Sequence, residues 1–219
     1  SSALASATTG GYNNAVGAEA LDALTTGVEN QAMGVGALGG LTTQGSNIAI
    51  GGYAGTGITG SDAIDNILIG GYAGTGGSGN LKRSIAIGKT ALNSTGTNAI
   101  LGAVAIGYDA LTAVTSGGNN TAVGYRSGSA ITNSAQNTFL GYESASTNIG
   151  DHNVAVGYNA LKGSGSNANS YNTAVGSRAM DTVTTGANNI AVGFDSLGAI
   201  TTGGNNTAIG YQSVYSLTT

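Results

Sequence analysis

Apolar and polar positions alternate in a short motif that returns about every 17 residues along the whole chain. In each copy a large apolar residue, usually Val or Ile, directly precedes a glycine, and an alanine usually stands two positions before that glycine. Alternation with β-branched residues predicts a short strand, whose Ala and Val/Ile side chains point to opposite faces. Neither face carries charge, so we expect both to be buried, one inside a coil and the other against a partner chain.

The glycine that ends each motif sets the period of the chain. A near-constant spacing of this length is the sequence signature of a solenoid. We expect each glycine to form a corner that needs positive φ or a close backbone approach, where a Cβ would cost free energy. The twelve corner glycines are Gly17, Gly34, Gly51, Gly70, Gly88, Gly107, Gly124, Gly141, Gly157, Gly176, Gly193 and Gly210.

An asparagine stands four residues before the glycine in ten of the twelve copies, with Ser84 and Ala103 as the exceptions. Stacked coils place equivalent residues about 4.8 Å apart, so a repeated amide can bond to the next coil. We predict a structural ladder of Asn13, Asn30, Asn47, Asn66, Asn120, Asn137, Asn153, Asn172, Asn189 and Asn206.

These patterns predict an all-β protein, a parallel β-roll or β-solenoid of about twelve 17-residue coils. Residues 1–219 form a single repeat array that is irregular over 66–107, and both ends fall inside a repeat. We therefore expect an excerpt of a longer fibre protein. Two overlapping motif-like segments leave the register at 96–107 open.

The residues after the corner differ from the strand in polarity. An aromatic residue follows the glycine in six copies, and the next position is mostly polar or charged, which assigns it to the solvent side. A threonine stands eight residues after the glycine in eight copies, and its Thr-Thr-Gly context is typical of a turn. These are Thr25, Thr42, Thr59, Thr115, Thr132, Thr184, Thr201 and Thr218.

Composition narrows the function classes. Abundant Gly with only 7% charged residues would suit a disordered segment, but 40% of the residues are apolar and periodic. The net charge is −4 and no basic run exceeds Lys82-Arg83, which disfavours a nucleic-acid partner. The apolar runs are far shorter than the roughly 20 residues that span a bilayer, so we expect no membrane insertion.

Catalytic, metal and cofactor sites are not expected. The only histidine, His152, follows Asp151 in a long turn, and the carboxylates are not paired with a positioned base. The glycine-rich run Gly70–Gly76 lacks the lysine of a phosphate-binding loop. Calcium β-roll repeats need Asp at fixed places where this period has Asn and Ala. We predict a protein that is not an enzyme.

Two families resemble this chain. The pattern Asn-Asn-Thr-Ala-Val-Gly at 119–124, with its copies at 188–193 and 205–210, resembles the Asn-Ser-Val-Ala-Ile-Gly motif of YadA-like trimeric autotransporter heads. Phage tail fibres with tandem Asn-Thr-Ala-Ile-Gly-Tyr repeats are more similar, since they share the longer period and the Thr-Thr-Gly turn. The resemblance implies a homotrimeric β-roll fibre on a virion that reaches toward a host surface.

Receptor binding is the expected activity, with a host cell-surface glycan or protein as the partner besides the chain itself. Exposed aromatic rings can stack on sugars, which makes Tyr53, Tyr72, Tyr171 and Tyr215 the candidate contacts. The alternative is the head of a bacterial trimeric autotransporter adhesin at the cell surface. A third reading, an ice-binding solenoid, rests on the threonine column and is disfavoured by the variable turn lengths there.

Overall fold

The computed structural model describes residues 2–76, 80–93, 96, 98–147, 149–163, 169–199 and 201–215. Within them the regular structure is entirely β, in strands of two or three residues. In chain order, β1 to β14 are Asn14–Val16, Gln31–Met33, Ile48–Ile50, Ile67–Ile69, Leu81–Lys82, Ile85–Ile87, Ile100–Leu101, Val104–Ile106, Thr121–Val123, Thr138–Leu140, Val154–Val156, Thr173–Val175, Ile190–Val192 and Thr207–Ile209.

Twelve of these strands form one parallel sheet, in which every strand bonds to the strand of the next repeat. The register is one for one, so that Ala15, Ala32 and Ala49 are direct partners in successive strands. Each strand is one rung, and the chain makes about 11 turns between the first rung and the last. The prediction of a parallel β-solenoid is confirmed.

The middle residue of each rung points into the coil. Ala15 in the first rung is partly buried, and the other eleven middle residues are at most 3% exposed. Aliphatic side chains four and seven residues after the corner glycine form the opposite wall of the core. Those buried there include Leu21, Leu24, Leu38, Leu41, Ile58, Leu92, Leu111, Val114, Ile131, Leu161, Met180, Val183 and Leu197.

Two rungs replace the middle alanine with a large residue, and the opposite wall adjusts to it. A Cβ added to Gly128 would lie 2.9 Å from Phe139 Cδ2, and one added to Gly74 would lie 2.6 Å from Leu68 Cδ2. Both glycines occupy the position that is Leu in six of the twelve coils. The small residue in the opposite wall makes room for the large one, as close packing requires.

The outer face of the sheet stays open in the single chain. It consists of the first and third residues of each rung, for which side-chain exposures reach 59% at Val16, 49% at Leu140 and 69% at Ile209. The expected burial is thus shown for the inner face, and the burial of the outer face against a partner chain stays a prediction. We call this outer surface the apolar face.

Each coil turns through three residues in the left-handed region, besides its corner glycine. They lie five before, two after and four after that glycine in all twelve repeats, with φ between 48° and 65°. Most are not glycine, and Thr90 and Val214 are even β-branched. Such residues adopt positive φ only at a cost, which the surrounding coil has to offset.

The irregular segment 66–107 remains in the sheet and adds a second one. The segment Val104–Ile106 takes the place of the rung, while Ile100–Leu101 pairs in parallel with Leu81–Lys82 beside it. Both motif-like segments therefore form strands, and the register at 96–107 is resolved.

Candidate interaction surfaces

The asparagines form a hydrogen-bonded column inside the turn before each rung. Asn30 donates from its backbone N and from Nδ2 to Asn13 Oδ1, at 2.9 and 3.1 Å, and its own Oδ1 accepts the same pair of bonds from Asn47. The Nδ2 group also donates to the turn carbonyl of the following coil, such as Gln44 O at 2.9 Å. All ten predicted asparagines lie in this column.

The two exceptions differ in chemistry. Ser84 continues the ladder, since its N donates to Asn66 Oδ1 at 3.0 Å and its Oγ accepts from Ala103 N at 3.2 Å. Ala103 has no acceptor to offer Asn120, so the ladder is interrupted there and starts again with Asn120 and Asn137. The column is therefore two ladders in series.

The corner glycines lie directly over one another. All twelve have φ between 124° and 141°. A Cβ on Gly51 would come within 2.7 Å of Gly70 C and 2.8 Å of its carbonyl oxygen. Both the conformation and the approach of the next coil therefore require glycine.

Aromatic rings after the corner stack along the rod. Tyr108, Tyr125, Tyr142 and Tyr158 form a run of four, with ring centroids 5.0 to 5.5 Å apart, and Phe194 stacks on Tyr211 in the same way. Tyr125 and Tyr142 have a stacked ring on both sides, whereas the rings at the ends of each run have one. The period of the sequence contained this signal, because equivalent rings in adjacent coils lie about 4.8 Å apart.

The four candidate receptor tyrosines do not form one site. Tyr53 and Tyr72 stack on each other at 5.4 Å, and a Cβ on Gly36 would lie 2.8 Å from Tyr53 Cδ1, so this glycine supports the ring. Tyr171 stacks on His152 at 4.9 Å on another edge of the coil. Tyr215 is half exposed and packs beside Gly198 near the last rung.

The chemistry available in the described part of the chain is limited. No group of three or more His, Asp or Glu side chains there lies close enough to hold a metal ion. Asp151 Oδ1 accepts a hydrogen bond from Ala135 N at 2.8 Å, and His152 is exposed and stacked on Tyr171. These contacts support the turn and place no base next to a nucleophile.

Among the described residues, three members of the threonine column bond from coil to coil. Thr25 Oγ1 donates to Thr42 O at 3.1 Å, and Thr184 Oγ1 donates to Thr201 O at 2.7 Å. Thr218 lies outside the described residues. The hydroxyl protons of Thr25, Thr115 and Thr184 are therefore used within the rod.

One charged cluster departs from the expectation that the position two after the corner faces solvent. Asp195 occupies that position with a side chain only 6% exposed, and its Oδ1 lies 3.0 Å from Arg178 Nε. The single N–H of that nitrogen donates to Asp181 Oδ2 at 3.2 Å, so this oxygen of Asp195 has an ion pair without a hydrogen bond among the described residues.

Burial raises the pKa of Asp181, against the lowering effect of Arg178. The hydrogen bond to Asp181, with the charge of Asp195, raises the pKa of Arg178.

Replacing Arg178 with Gln is expected to lower the unfolding temperature at pH 7, because two largely buried carboxylates lose their cation. The deficit should shrink near pH 3. Arg178 lowers the pKa of Asp181, so its removal raises the folded-state pKa of this carboxyl further above the unfolded value. The folded variant then takes up the proton before its unfolded chain does, and it gains more stability from acid than the natural chain. Thermal unfolding followed by circular dichroism at both pH values checks this.

The matched control is Arg126→Gln, at the same position of an earlier coil. Arg126 lies 3.7 Å from Glu143, which keeps a second partner in Lys162 at 3.0 Å. This substitution should have little effect at either pH. Equal losses for both variants would contradict the assignment of the effect to the buried carboxylates.

No helix in the described part of the chain is long and apolar enough to cross a membrane. Comparison of the chain with protein families, with curated proteins and with solved structures finds no match.

Proposed function

We propose that this chain is a structural segment of a homotrimeric fibre, a phage tail fibre or related virion appendage that spaces and contacts a host surface. The observation that carries the proposal is the apolar face. Its third-residue row is Val, Ile, Leu or Met in every rung, and neither row contains a charged residue. A single chain that leaves such a face in water carries a large exposed apolar patch, which is typical of an interaction surface.

The occupant that suits this face best is another copy of the chain. The face runs over twelve rungs, roughly 50 Å at about 4.8 Å per rung. A partner has to present apolar side chains at the same interval over the same length. A second and a third copy of this chain supply that period by construction, and a three-fold arrangement is what the resemblance to phage fibres and YadA-like heads implies.

A rod of stacked coils suits a spacer. Its coils bond only to their neighbours, so length is gained by adding repeats without changing the core. The columns of bonded asparagine, threonine and aromatic side chains all run along the axis. The described residues offer no enclosed catalytic constellation, and a role as a virion shaft uses the architecture directly.

Contact with a host glycan or protein would use the outer edges of the coil. The candidate rings Tyr53, Tyr72 and Tyr171 are between 40% and 59% exposed while their stacking fixes their orientation. Rigid, amphipathic rings bind sugars and proteins at low entropic cost. The repeated residues form the rod, and these tyrosines, which most repeats lack at the same positions, give parts of its surface a different chemistry.

Sedimentation equilibrium tests the assembly. We expect a mass of three chains, and a mass of one chain, 21.1 kDa, would contradict the proposal. The gene around this segment tests the origin. Virion-attachment and chaperone segments support the phage fibre, whereas a signal peptide with a coiled-coil stalk and membrane anchor would make the chain an adhesin head.

Replacing Leu140 with Glu is expected to convert the trimer to monomers, because the charge would be buried at the interface without a partner, at a cost of several kcal/mol. Leu140 is 49% exposed in the single chain, so its coil should fold as before. Light scattering on a sizing column measures the mass. The control is Tyr12→Glu, which lies outside the strands and is 87% exposed, and which should stay trimeric.

A further inference from the structure

The apolar face raises a problem of alignment between copies. Its rungs are nearly identical and about 4.8 Å apart, so a copy shifted by one coil still apposes eleven of its twelve rungs. Apolar contact is non-directional and distinguishes the two alignments only by the one rung that is lost. Something other than the repeat has to set the register.

The first two rungs differ from the rest in the first residue of the strand. Asn14 and Gln31 stand there, whereas every later rung has Ile, Val or Thr. Asn14 Nδ2 donates to Gln31 Oε1 at 2.6 Å, which ties the two amides into one unit. They border a shallow groove on the face, together with Val16, Met33 and Ile50.

This amide pair keeps hydrogen-bonding groups for a neighbour. The bond between them uses one proton of Asn14 and one lone pair of Gln31. Gln31 Nε2 and Asn14 Oδ1 take no part in this bond, and neither atom makes a hydrogen bond among the described residues. The first is a donor and the second an acceptor, so equivalent pairs on aligned copies are complementary to one another.

We infer that Asn14 and Gln31 form a polar layer that sets the register between copies of this chain; the inference rests on the proposed homotrimer. In the aligned state each amide pair meets another amide pair. A shift of one coil places Gln31 of the displaced copy against Ile48 of its neighbour, where its amide is unpaired, and leaves only its Asn14 opposite an amide, Gln31 of that neighbour. An unpaired buried amide disfavours that alignment by roughly tenfold or more at each contact between copies that is out of register. A polar residue in an apolar seam fixes the register of coiled coils in the same way.

Disulfide mapping tests this, and the cysteine-free chain makes it clean. Thr121 and Thr138 are direct partners in adjacent rungs, and so are Val123 and Leu140 in the other row of the face. Each of the four residues is changed to Cys in a separate variant, and each variant carries a tag of different mass. The two variants from the same row, 121 with 138 or 123 with 140, are then refolded together and oxidised. Aligned copies give only 121–121 and 138–138 disulfides, while a shift of one coil gives 121–138.

The cysteine variants are made in two backgrounds. One keeps the natural Asn14 and Gln31, and the other carries the double substitution Asn14→Val and Gln31→Ile. We expect aligned disulfides alone with the natural residues, and a measurable yield of the shifted disulfide in the double variant, which stays trimeric. Aligned disulfides alone in both backgrounds, or shifted disulfides in both, would overturn the inference and leave the trimer standing. A single-chain mass, or a trimer without disulfides in either row, would instead overturn the proposed interface.

Discussion

Replacing Gly51 with Ala is expected to destabilise the rod more than almost any other single methyl group could. The residue has φ +129°, which a residue with a Cβ rarely adopts, and the strain costs about 1–3 kcal/mol. The new methyl group would also meet the backbone of Gly70 at 2.7 Å, which cannot move without opening the ladder between two coils. We expect a total loss of about 3–5 kcal/mol in the free energy of unfolding.

Gly210 separates the two causes. Its φ is +126°, almost the same as that of Gly51, but among the described residues the nearest atom to an added Cβ is Ser213 Cβ at 3.8 Å. Gly210→Ala in the 219-residue chain should therefore show the strain alone. Urea unfolding of both variants at equal chain concentration measures the difference, since assembly makes stability depend on concentration. If the two losses are equal, the close approach of the coils contributes nothing.

The fold follows from the sequence because three constraints recur in every repeat. A middle alanine, an outer Val or Ile and a corner glycine define a strand, its faces and its end, and the constant period stacks the strands. The interior partner of the alanine could not be assigned in the same way. Leu21 and Leu38 lie after the corner in a segment without alternation, and their burial depends on the left-handed residues that turn the chain back.

Those left-handed residues show where sequence reasoning ends. Positive φ is predicted from Gly or Asn, yet Tyr53, Thr90 and Leu111 adopt it because their coil leaves no other path. The size exchange between Phe139 and Gly128 is likewise invisible until the two are known to face each other. Contacts between coils determine the left-handed residues and the size exchange, so the sequence of a single repeat predicts neither feature.

The outer surface was predictable in part. The absence of charge identified the apolar face before its exposure was known, and the aromatic positions were apparent from the period. A tyrosine stacks only on a ring at the same position of the adjacent repeat, so its partner depends on its position relative to the corner glycine. Tyr53 and Tyr108 differ by one position relative to their corner glycines, and this difference puts them in separate columns.

Replacing Asn47 with Ala is the second change for which a large loss is expected. Asn47 is fully buried, and its Nδ2 donates to Gly45 O at 3.0 Å and to Ala63 O at 2.9 Å. Its Oδ1 accepts from Asn66 N at 3.2 Å. Alanine would leave all three of these backbone groups without that partner, at about 1–3 kcal/mol for each that stays buried and unpaired, so we expect a loss of about 3–5 kcal/mol. Urea unfolding followed by circular dichroism measures it.

Two further variants show whether the ladder itself causes this loss. Asn206 ends the column, where its Nδ2 donates to Asn189 Oδ1 at 3.1 Å and to the exposed Gly204 O at 3.2 Å. The backbone N of Asn206 holds the same Asn189 oxygen at 3.0 Å, and water can reach the Gly204 carbonyl. Asn206→Ala should therefore cost only about 1 kcal/mol. Asn47→Ser should fall between the two alanine variants, because Ser84 shows that a hydroxyl at this position can accept the backbone N–H of the next coil. If Asn47→Ser lowers the free energy of unfolding as much as Asn47→Ala, the loss comes from the missing amide donors. The oxygen acceptor that continues the ladder then contributes little to stability.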